Sequence, residues 1–355
     1  MLEALSRGER GFLAATAAVT AGAGVARYAG TAAVLAFAAA GLALAGLAWV
    51  VSFATEQVGQ RFGPAITGFL QSTLGNLPEF FIVVFALREG QLVVAKTSII
   101  GSLFANALLV LGLVVIVGAR RDPGGCMRFK RRLPNDTTTL LLVAVFIIVI
   151  IGLTIASGVE AEHHVKAIST VGALSLLLVY GVWLASYLRS DEPREAAHEE
   201  SGGRLPLAFS IVLLAVSGAG AAFVSDWFIH ALQPAIHSLN ISQAFAGLVI
   251  VAIAGNAVEN VTGIVLADKG QSDLAISVVK NSVAQIAAFL FPALVLVSLL
   301  FAHTLTFDLA PVYIGALFLT AIAIWQITGD GEAMAFEGLA LVALYVVLAA
   351  FAWVD

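Results

Sequence analysis

The sequence predicts an all-α protein that crosses a lipid bilayer about eleven times, with one extra N-terminal transmembrane helix followed by two inverted five-helix repeats. The first reason is composition: of 355 residues, 60% are hydrophobic and 12% are charged, whereas soluble domains carry about 25% charged residues. The second is the length of the uncharged stretches, which approach the ~20 residues that span a bilayer. The third is an internal similarity at a separation of 180 residues.

The transmembrane spans follow from apolar runs that are separated by proline, glycine and charged residues. Only Arg27, Tyr28 and Gly30 mark the division between the first two spans, so a chain of ten spans is the alternative. In order, the predicted spans lie near residues 10–29, 31–54, 64–87, 92–118, 137–158, 165–188, 205–228, 242–266, 273–301, 308–328 and 334–354.

The loops between these spans differ in charge and in composition. Thirteen lysines and arginines fall in loops on the side of the N-terminus, and three fall on the other side. The positive-inside rule therefore predicts a cell-membrane protein with a cytoplasmic N-terminus and an external C-terminus. The acidic segment 191–204 is predicted to be a cytoplasmic linker. It separates an N-terminal helix (1–30) and a first repeat (31–190) from a second repeat (205–355).

The two repeats share a short polar motif. GNLPE at residues 75–79 aligns with GNAVE at 255–259, and further matches follow in register: Gly90 with Gly270, Gln91 with Gln271, and Ser102 with Ser282. Because each repeat has an odd number of spans, the second copy is expected to enter the membrane in the opposite orientation, as in many secondary transporters. The two motifs are then expected to meet near the bilayer midplane.

Each motif places a carboxylate three residues after an asparagine: Glu79 after Asn76, and Glu259 after Asn256. Such a pair can be a capping box at the start of a restarted helix, and Pro78 fits that interpretation. However, a carboxylate at mid-bilayer costs of order 3 kcal/mol. Two of them at symmetric positions favour a binding site for an ion.

Two neighbouring glutamates in a low dielectric require either protons or a bound cation, and competition for their oxygens couples the two fluxes. The predicted site therefore holds a cation and protons in exchange. Its other ligands are oxygens, which suits Ca2+ as the transported ion. The amides of Asn106 and Gln285 are expected either to add ligands or only to bridge helices. The complete predicted set is Glu79, Glu259, Asn76, Asn256, Ser102, Ser282, Asn106 and Gln285, with Glu79 and Glu259 as the metal ligands.

The two motif regions, roughly 68–113 and 245–292, resemble the cation/proton exchanger family of the calcium/cation antiporter superfamily. The first contains GNLPEF and GSLFANALLVLG, and the second contains FAGLVIVAIAGNAVEN and VKNSVAQIAAFLFP. The resemblance implies an eleven-span Ca2+/H+ antiporter that works by alternating access and uses the predicted ligand set. It also places Glu56 at an acidic position of the cytoplasmic mouth.

Several positions depart from the family pattern. Asn281 stands where glycine is usual, Asn260 replaces a histidine, and Pro78 is closer to the sodium/calcium exchanger branch. Lys280 falls inside a span: beside the glutamates it would favour a monovalent ion, and turned away it would have no such effect. Exchange of Na+ or K+ for H+, or of Na+ for Ca2+, is therefore the alternative function.

Other classes of function are disfavoured. A channel is expected to have a continuous polar pore lining rather than two carboxylates that must neutralise each other. An intramembrane enzyme would need a nucleophile with a base or a metal motif, and His163-His164 lacks that spacing. The single cysteine, Cys126, excludes a disulfide framework. The expected partners are the two ions and the lipid bilayer, with no cofactor and no nucleic acid; an oligomer is compatible with the sequence.

Overall fold

The computed structural model describes residues 5–59, 74–189 and 205–354, and it is almost entirely helical. The helices of the first half are α1 (Arg7–Tyr28), α2 (Ala33–Gly59), α3 (Leu77–Arg88), α4 (Leu92–Phe104), α5 (Leu111–Arg121), α6 (Arg132–Ser157) and α7 (Val165–Arg189). Those of the second half are α8 (Leu207–Leu239), α9 (Gln243–Phe245), α10 (Ala252–Gly255), α11 (Ala257–Asp268), α12 (Ser272–Gln285), α13 (Phe291–Ser298), α14 (Pro311–Thr328) and α15 (Ala335–Val354).

Three π-helical segments connect some of these helices without a break. They are π1 (Ala105–Val110) between α4 and α5, π2 (Ala246–Val251) between α9 and α10, and π3 (Ile286–Leu290) between α12 and α13. A short 3-10 helix covers Glu160–His164. Strands β1 (Cys126–Arg128) and β2 (Glu332–Met334) pair antiparallel; outside this ribbon the regular secondary structure of the described residues is helical.

Eight helical segments of the described residues are long and apolar enough to cross a membrane. The polytopic all-α class is thereby confirmed, while the number eleven stays a prediction, since α1, α3 and the interrupted segment α9–α11 are outside this set. The predicted span 64–87 lies partly outside the described residues. The eight segments are Ala33–Val58, Leu92–Arg121, Pro134–Ser157, Glu160–Ser186, Leu207–Leu239, Ser272–Ser298, Pro311–Thr328 and Ala335–Val354.

The first two predicted spans are two separate helices. A capping box starts α1: the Glu9 amide donates to Ser6 Oγ at 3.2 Å, and the Ser6 amide donates to Glu9 Oε2 at 2.7 Å. Gly30 then takes a φ of 69°, which residues with a Cβ adopt only at a cost. The chain therefore turns before α2, and α1 and α2 are not one continuous helix. The choice between ten and eleven spans stays a prediction, since α1 is outside the set of helices that are long and apolar enough to cross a membrane.

The seventh predicted span ends later than expected. Its helix, α8, continues to Leu239 and contains Pro234, whereas the sequence placed the end near residue 228. Proline removes one hydrogen bond from a helix interior but does not always end the helix. His230 and His237, expected between spans, consequently lie on α8.

The chain packs as two compact units, which are described separately. The first comprises Met1–Phe85 and Gly181–Asn240. Within it α2 packs along α8, and Phe37 stacks on Phe228 with ring centroids 4.6 Å apart. Leu5 and Leu205 are buried against Phe53 at one end of α2.

The second unit comprises Ala86–Tyr180 and Ile241–Asp355. Its helices approach closely where glycines face one another: a Cβ placed on Gly112 would come within 2.6 Å of the Gly338 carbonyl oxygen. By this contact α5 packs against α15. A Cβ on Gly101 would similarly collide with the backbone of Leu248, so α4 lies directly against π2. Small residues thus allow the backbones to meet, as in membrane helix bundles generally.

The internal repeat is visible in the backbone. Helices α3 and α4 begin at residues 77 and 92, and α11 and α12 begin at residues 257 and 272, which preserves the separation of 180. The turns between them also match, since φ is 72° at Gly90 and 74° at Gly270. The structural similarity of the two sequence motifs is therefore confirmed, while their inverted orientation in a membrane stays a prediction.

Candidate functional site

The first motif lies at the start of α3 in the first unit. Asn76 precedes the helix, and its carbonyl oxygen accepts a hydrogen bond from the Phe80 amide at 2.9 Å. Glu79 is in the first helical turn and is 2% exposed, while Asn76 is 6% exposed. Ser225 of α8 approaches the same turn, with Oγ 3.5 Å from the Pro78 carbonyl oxygen. The structure therefore confines a carboxylate and an amide to the interior at the predicted position.

The second motif lies at a helix interruption in the second unit. Helix α10 ends at Gly255 and α11 begins at Ala257, so the helix is interrupted at the Gly-Asn pair of the motif. Asn256 stands at the N-cap, yet its side chain makes no capping hydrogen bond. Instead, Nδ2 donates to Ser102 Oγ at 2.8 Å and to the Ala252 carbonyl at 2.9 Å. A capping box thus does not explain Asn256. The Glu259 side chain lies outside the described part of the structure.

Four polar residues of the two repeats form one hydrogen-bonded cluster, which we call the amide cluster: Ser102, Asn106, Asn256 and Ser282. The Asn106 Nδ2 atom donates to Asn256 Oδ1 at 3.0 Å and to Ser282 Oγ at 3.2 Å. Asn106 and Asn256 are fully buried, and the two serines are at most 4% exposed. Residues that are 180 apart in the sequence, Ser102 and Ser282, therefore flank the two amides in space.

One acceptor of the amide cluster remains available. In the described part of the chain, Asn106 Oδ1 is buried and has no hydrogen-bond partner. Leaving a buried polar atom unpaired typically costs about 1–3 kcal/mol, which natural proteins rarely accept without a function for that atom. An amide oxygen in this position has the chemistry of a ligand for a hard cation.

Two further candidates, Gln285 and Glu56, are not hydrogen-bonded members of the amide cluster in the described structure. Gln285 is half-buried at the end of α12. Glu56 is exposed on α2. Among the described residues, no group of three or more His, Cys, Asp or Glu side chains comes together. The polar groups that form the amide cluster are amides and hydroxyls.

Lys280 points away from the amide cluster. Two residues correspond to a rotation of about 200° around a helix, so Lys280 and Ser282 face opposite sides of α12. The Lys280 amino group donates to Thr138 Oγ1 of α6 at 2.5 Å and to Thr328 Oγ1 of α14 at 2.8 Å. Lys280 therefore lies on the side of α12 opposite Ser282, while its two alternative orientations relative to Glu79 and Glu259 stay predictions.

The π-helical segments lie next to the candidate ligands. Asn106 belongs to π1, and π3 begins directly after Gln285. Segment π2 ends at Val251, and the four residues of α10 separate it from the interruption at Asn256. Short π-helical insertions are common at functional sites because they rotate side chains out of the regular helical register. Nothing in the sequence pattern predicts them, since their residues are as apolar as those of the adjoining helices.

Two interactions of the second unit were not expected from the sequence. One is the pair of threonines that binds Lys280. The other is the ion pair between Lys96 of α4 and Asp308, with Nζ and Oδ2 3.3 Å apart. A lysine inside a predicted span does indicate a polar partner. The identity of that partner is a tertiary contact over 212 positions, which no local pattern contains.

Comparison with known proteins gives a consistent result. The family model described as sodium/calcium exchanger protein matches residues 32–188 and 209–354. A vacuolar calcium ion transporter of Schizosaccharomyces pombe is 33% identical over 323 residues, which are 87% of this chain and 77% of that protein. A Ca2+/H+ antiporter of Synechocystis sp. is 30% identical over 335 residues, which cover 88% of this chain and 89% of that protein.

The fold is likewise shared with a solved structure. Native YfkE superposes with a TM-score of 0.81 at 26% identity, and the match covers 97% of this chain and 100% of YfkE. The family match extends over both repeats and includes all the candidate ligands. The chain therefore belongs to the sodium/calcium exchanger protein family.

Proposed function

We propose that this protein is a secondary active antiporter that exchanges Ca2+ for H+ across a cell membrane by alternating access. The observation that carries the proposal is the amide cluster, in which buried ligand-type residues from both sequence repeats are hydrogen-bonded to one another. Family membership supports it, as do similar proteins that are named Ca2+/H+ antiporters. The proposal assigns the chain no catalytic role and no cofactor.

Glu79 and Glu259 are the proposed shared ligands of the cation and of protons. Two carboxylates in a low dielectric bind a divalent cation or protons, because either neutralises their charge. The amide and hydroxyl oxygens of Asn76, Asn256, Ser102, Ser282, Asn106 and Gln285 complete the proposed set. Ca2+ accepts six to eight oxygens in flexible geometry, whereas Mg2+ gives up its water reluctantly. The convergence of Glu79 and Glu259 on one ion is inferred from the sequence repeat.

The proposed orientation has the N-terminus and the linker 191–204 in the cytoplasm and the C-terminus outside. The distribution of lysine and arginine among the loops supports it. This argument assumes that successive loops lie on alternate sides of the membrane. The pairing of β1 with β2 supports that assumption. Six predicted spans separate these two strands, so both are expected on the same side of the membrane. Glu56 is proposed to attract cations on that cytoplasmic side.

Ion uptake into proteoliposomes under an imposed acid-inside pH gradient tests the function. We expect Ca2+ uptake by the wild type, and a loss of about 100-fold or more for Glu79→Gln and for Glu259→Gln, because each amide removes a charge that the cation requires. Lowering the external pH should also raise the Ca2+ concentration needed for half-maximal uptake, since protons compete for the same oxygens.

The exposed outer-loop variant Glu160→Gln is the matched control and should transport like the wild type. Uptake of Na+ or K+ in place of Ca2+ would retain the exchange mechanism and reassign the ion. Ca2+ uptake that requires a Na+ gradient would make the protein a Na+/Ca2+ exchanger. If no ion accumulates in response to the pH gradient or a Na+ gradient, the antiporter proposal is wrong.

A further inference from the structure

Lys280 is a buried basic residue that is not one of the proposed cation ligands. It lies on α12, is 3% exposed, and no carboxylate of the described side chains lies within ion-pair distance of its amino group. A buried amino group without a hydrogen-bond acceptor is strongly unfavourable. The amino group of Lys280 can therefore stay buried only because specific hydrogen-bond acceptors surround it.

Those acceptors come from two other helices. Thr138 Oγ1 already donates to the Pro134 carbonyl of its own helix at 2.8 Å, and Thr328 Oγ1 donates to the Ile324 carbonyl at 2.8 Å. Both hydroxyl protons are thus used, which leaves oxygen lone pairs directed toward Lys280. Thr138 is 2% exposed and Thr328 is fully buried. We call Lys280, Thr138 and Thr328 the lysine clamp.

The lysine clamp and the amide cluster hold opposite sides of the same helix. On one side of α12, Lys280 is bound to α6 and α14; on the other side, Ser282 accepts a hydrogen bond from Asn106. A rotation of α12 that lengthens the clamp distances would also move Ser282 relative to Asn106. Polar interactions of this kind specify the register of packed helices, in addition to any stability that they contribute.

We propose that Lys280 is a positioning residue for the cation site: through Thr138 and Thr328 it sets the rotation of α12 and so seats Ser282 against Asn106. The inference rests on the proposed function in that it takes Ser282 as part of the cation site. Its distinctive consequence is a change in the apparent affinity for the cation without a comparable change in maximal rate, because the clamp residues do not contact the ion.

Transport kinetics provide the first test. Lys280→Met keeps the length of the side chain and removes its hydrogen-bond donors. We expect the Ca2+ concentration for half-maximal uptake to rise about fivefold in Lys280→Met, as the loss of a hydrogen bond that orients a ligand implies. The maximal rate per inserted protein should stay within about twofold of the wild type. Lys269→Met, in an exposed turn, is the matched control and should be unchanged.

The threonines provide variants that keep the lysine. Thr328→Val and Thr138→Val each remove one acceptor at nearly constant volume and should reproduce the change in half-maximal concentration. Thr328→Ser keeps the hydroxyl and should restore wild-type behaviour, whereas a purely steric role for Thr328 would not be rescued. Thr139→Val, on the exposed face of α6, is the control for Thr138→Val. If Lys280→Met does not insert, these variants still decide the question.

Cysteine cross-linking tests the same inference without any ion. The chain has a single cysteine, so Cys126→Ser gives a background in which Asn106→Cys and Ser282→Cys can be joined by a short bifunctional methanethiosulfonate. We expect Lys280→Met to reduce this cross-link about threefold or more, in line with a shifted α12. A reference pair, Lys96→Cys with Asp308→Cys, should be unaffected.

The outcomes separate the inference from the proposed function. Unchanged half-maximal concentrations and an unchanged cross-link in Lys280→Met would overturn the positioning role while Ca2+/H+ exchange stands. Absence of Ca2+ transport in the wild type would overturn the proposed function, and the cross-link would still test the clamp. A fall in maximal rate with unchanged half-maximal concentration and cross-link would also contradict the positioning role.

Discussion

Asn256 of the second motif illustrates how a single residue builds the site. Asn256 uses both ends of its amide: Nδ2 donates to Ser102 and to a helix carbonyl, and Oδ1 accepts from Asn106. Such a side chain joins two helices and at the same time orients the hydroxyl and amide oxygens around it. Residues with one polar atom, such as serine, cannot replace it in this position.

At this scale we predict that Asn256→Ala both destabilises the protein and abolishes transport. It leaves the Ser102 hydroxyl and the Asn106 amide without their partner, which should lower the free energy of unfolding by about 1–3 kcal/mol. Thermal unfolding in detergent measures this loss. Asn135→Ala, on an exposed part of α6, is the control. A variant of Asn256 with wild-type melting and uptake would contradict the role assigned to the amide cluster.

Among the elements, the close crossing of α4 and π2 brings the two repeats together inside the second unit. Gly101 faces the Leu248 backbone, and Gly247 faces the side chain of Thr97. One residue beyond Gly101, Ser102 then reaches Asn256. The absence of two side chains thus sets the separation of the helices that present the amide cluster.

We therefore predict that Gly101→Ala impairs transport although alanine is the better helix former. The new methyl group would overlap the Leu248 backbone and force the two segments apart, which should lower the uptake rate by at least about tenfold; overpacking of this kind typically costs about 1–3 kcal/mol. Gly315→Ala in α14 is a suitable comparison, since a Cβ there meets nothing within 4 Å. It should leave uptake unchanged. Equal activity of both variants would exclude a tight crossing at Gly101.

For the molecule as a whole, contacts between segments far apart in the sequence support the predicted alternation across the membrane. One such contact is the pairing of β1 with β2. In a second, the Lys130 amide donates to Asp273 Oδ1 at 2.7 Å. An even number of predicted spans separates these residues, as it separates β1 from β2. The Lys96 to Asp308 ion pair joins segments on what is predicted to be the other side.

Labelling with a membrane-impermeant thiol reagent tests this orientation. In a Cys126→Ser background, Asp330→Cys should react only from the cytoplasmic side, and Glu160→Cys only from the outside. The native Cys126 should react slowly, because burial and the nearby Glu332 carboxylate raise the pKa of its thiol; its labelling should therefore accelerate as the pH rises. Labelling of both engineered cysteines from one side would exclude the proposed alternation.

Much of this architecture was predictable because its causes are local. The apolar runs, the separation of α1 from α2 and the interruption at Asn256 follow from composition, glycine and polar residues along the chain. The sequence matches at a separation of 180 residues also predicted that α3 and α4 would have counterparts in the second repeat, which are α11 and α12. The predicted end of the seventh span was wrong, because Pro234 is accommodated within α8 and the helix continues beyond it.

By itself, then, the sequence determined the membrane-protein class, the repeated motif and the residue types suited to a cation, because hydrophobicity, periodicity and side-chain chemistry are properties of the chain. Only the tertiary structure decided which polar atoms meet: that Asn256 bridges Ser102 and Asn106 instead of capping α11, and that Lys280 binds Thr138 and Thr328. Those outcomes depend on helix rotation and on close backbone contacts at glycines, which are set by the packing of segments far apart in the chain.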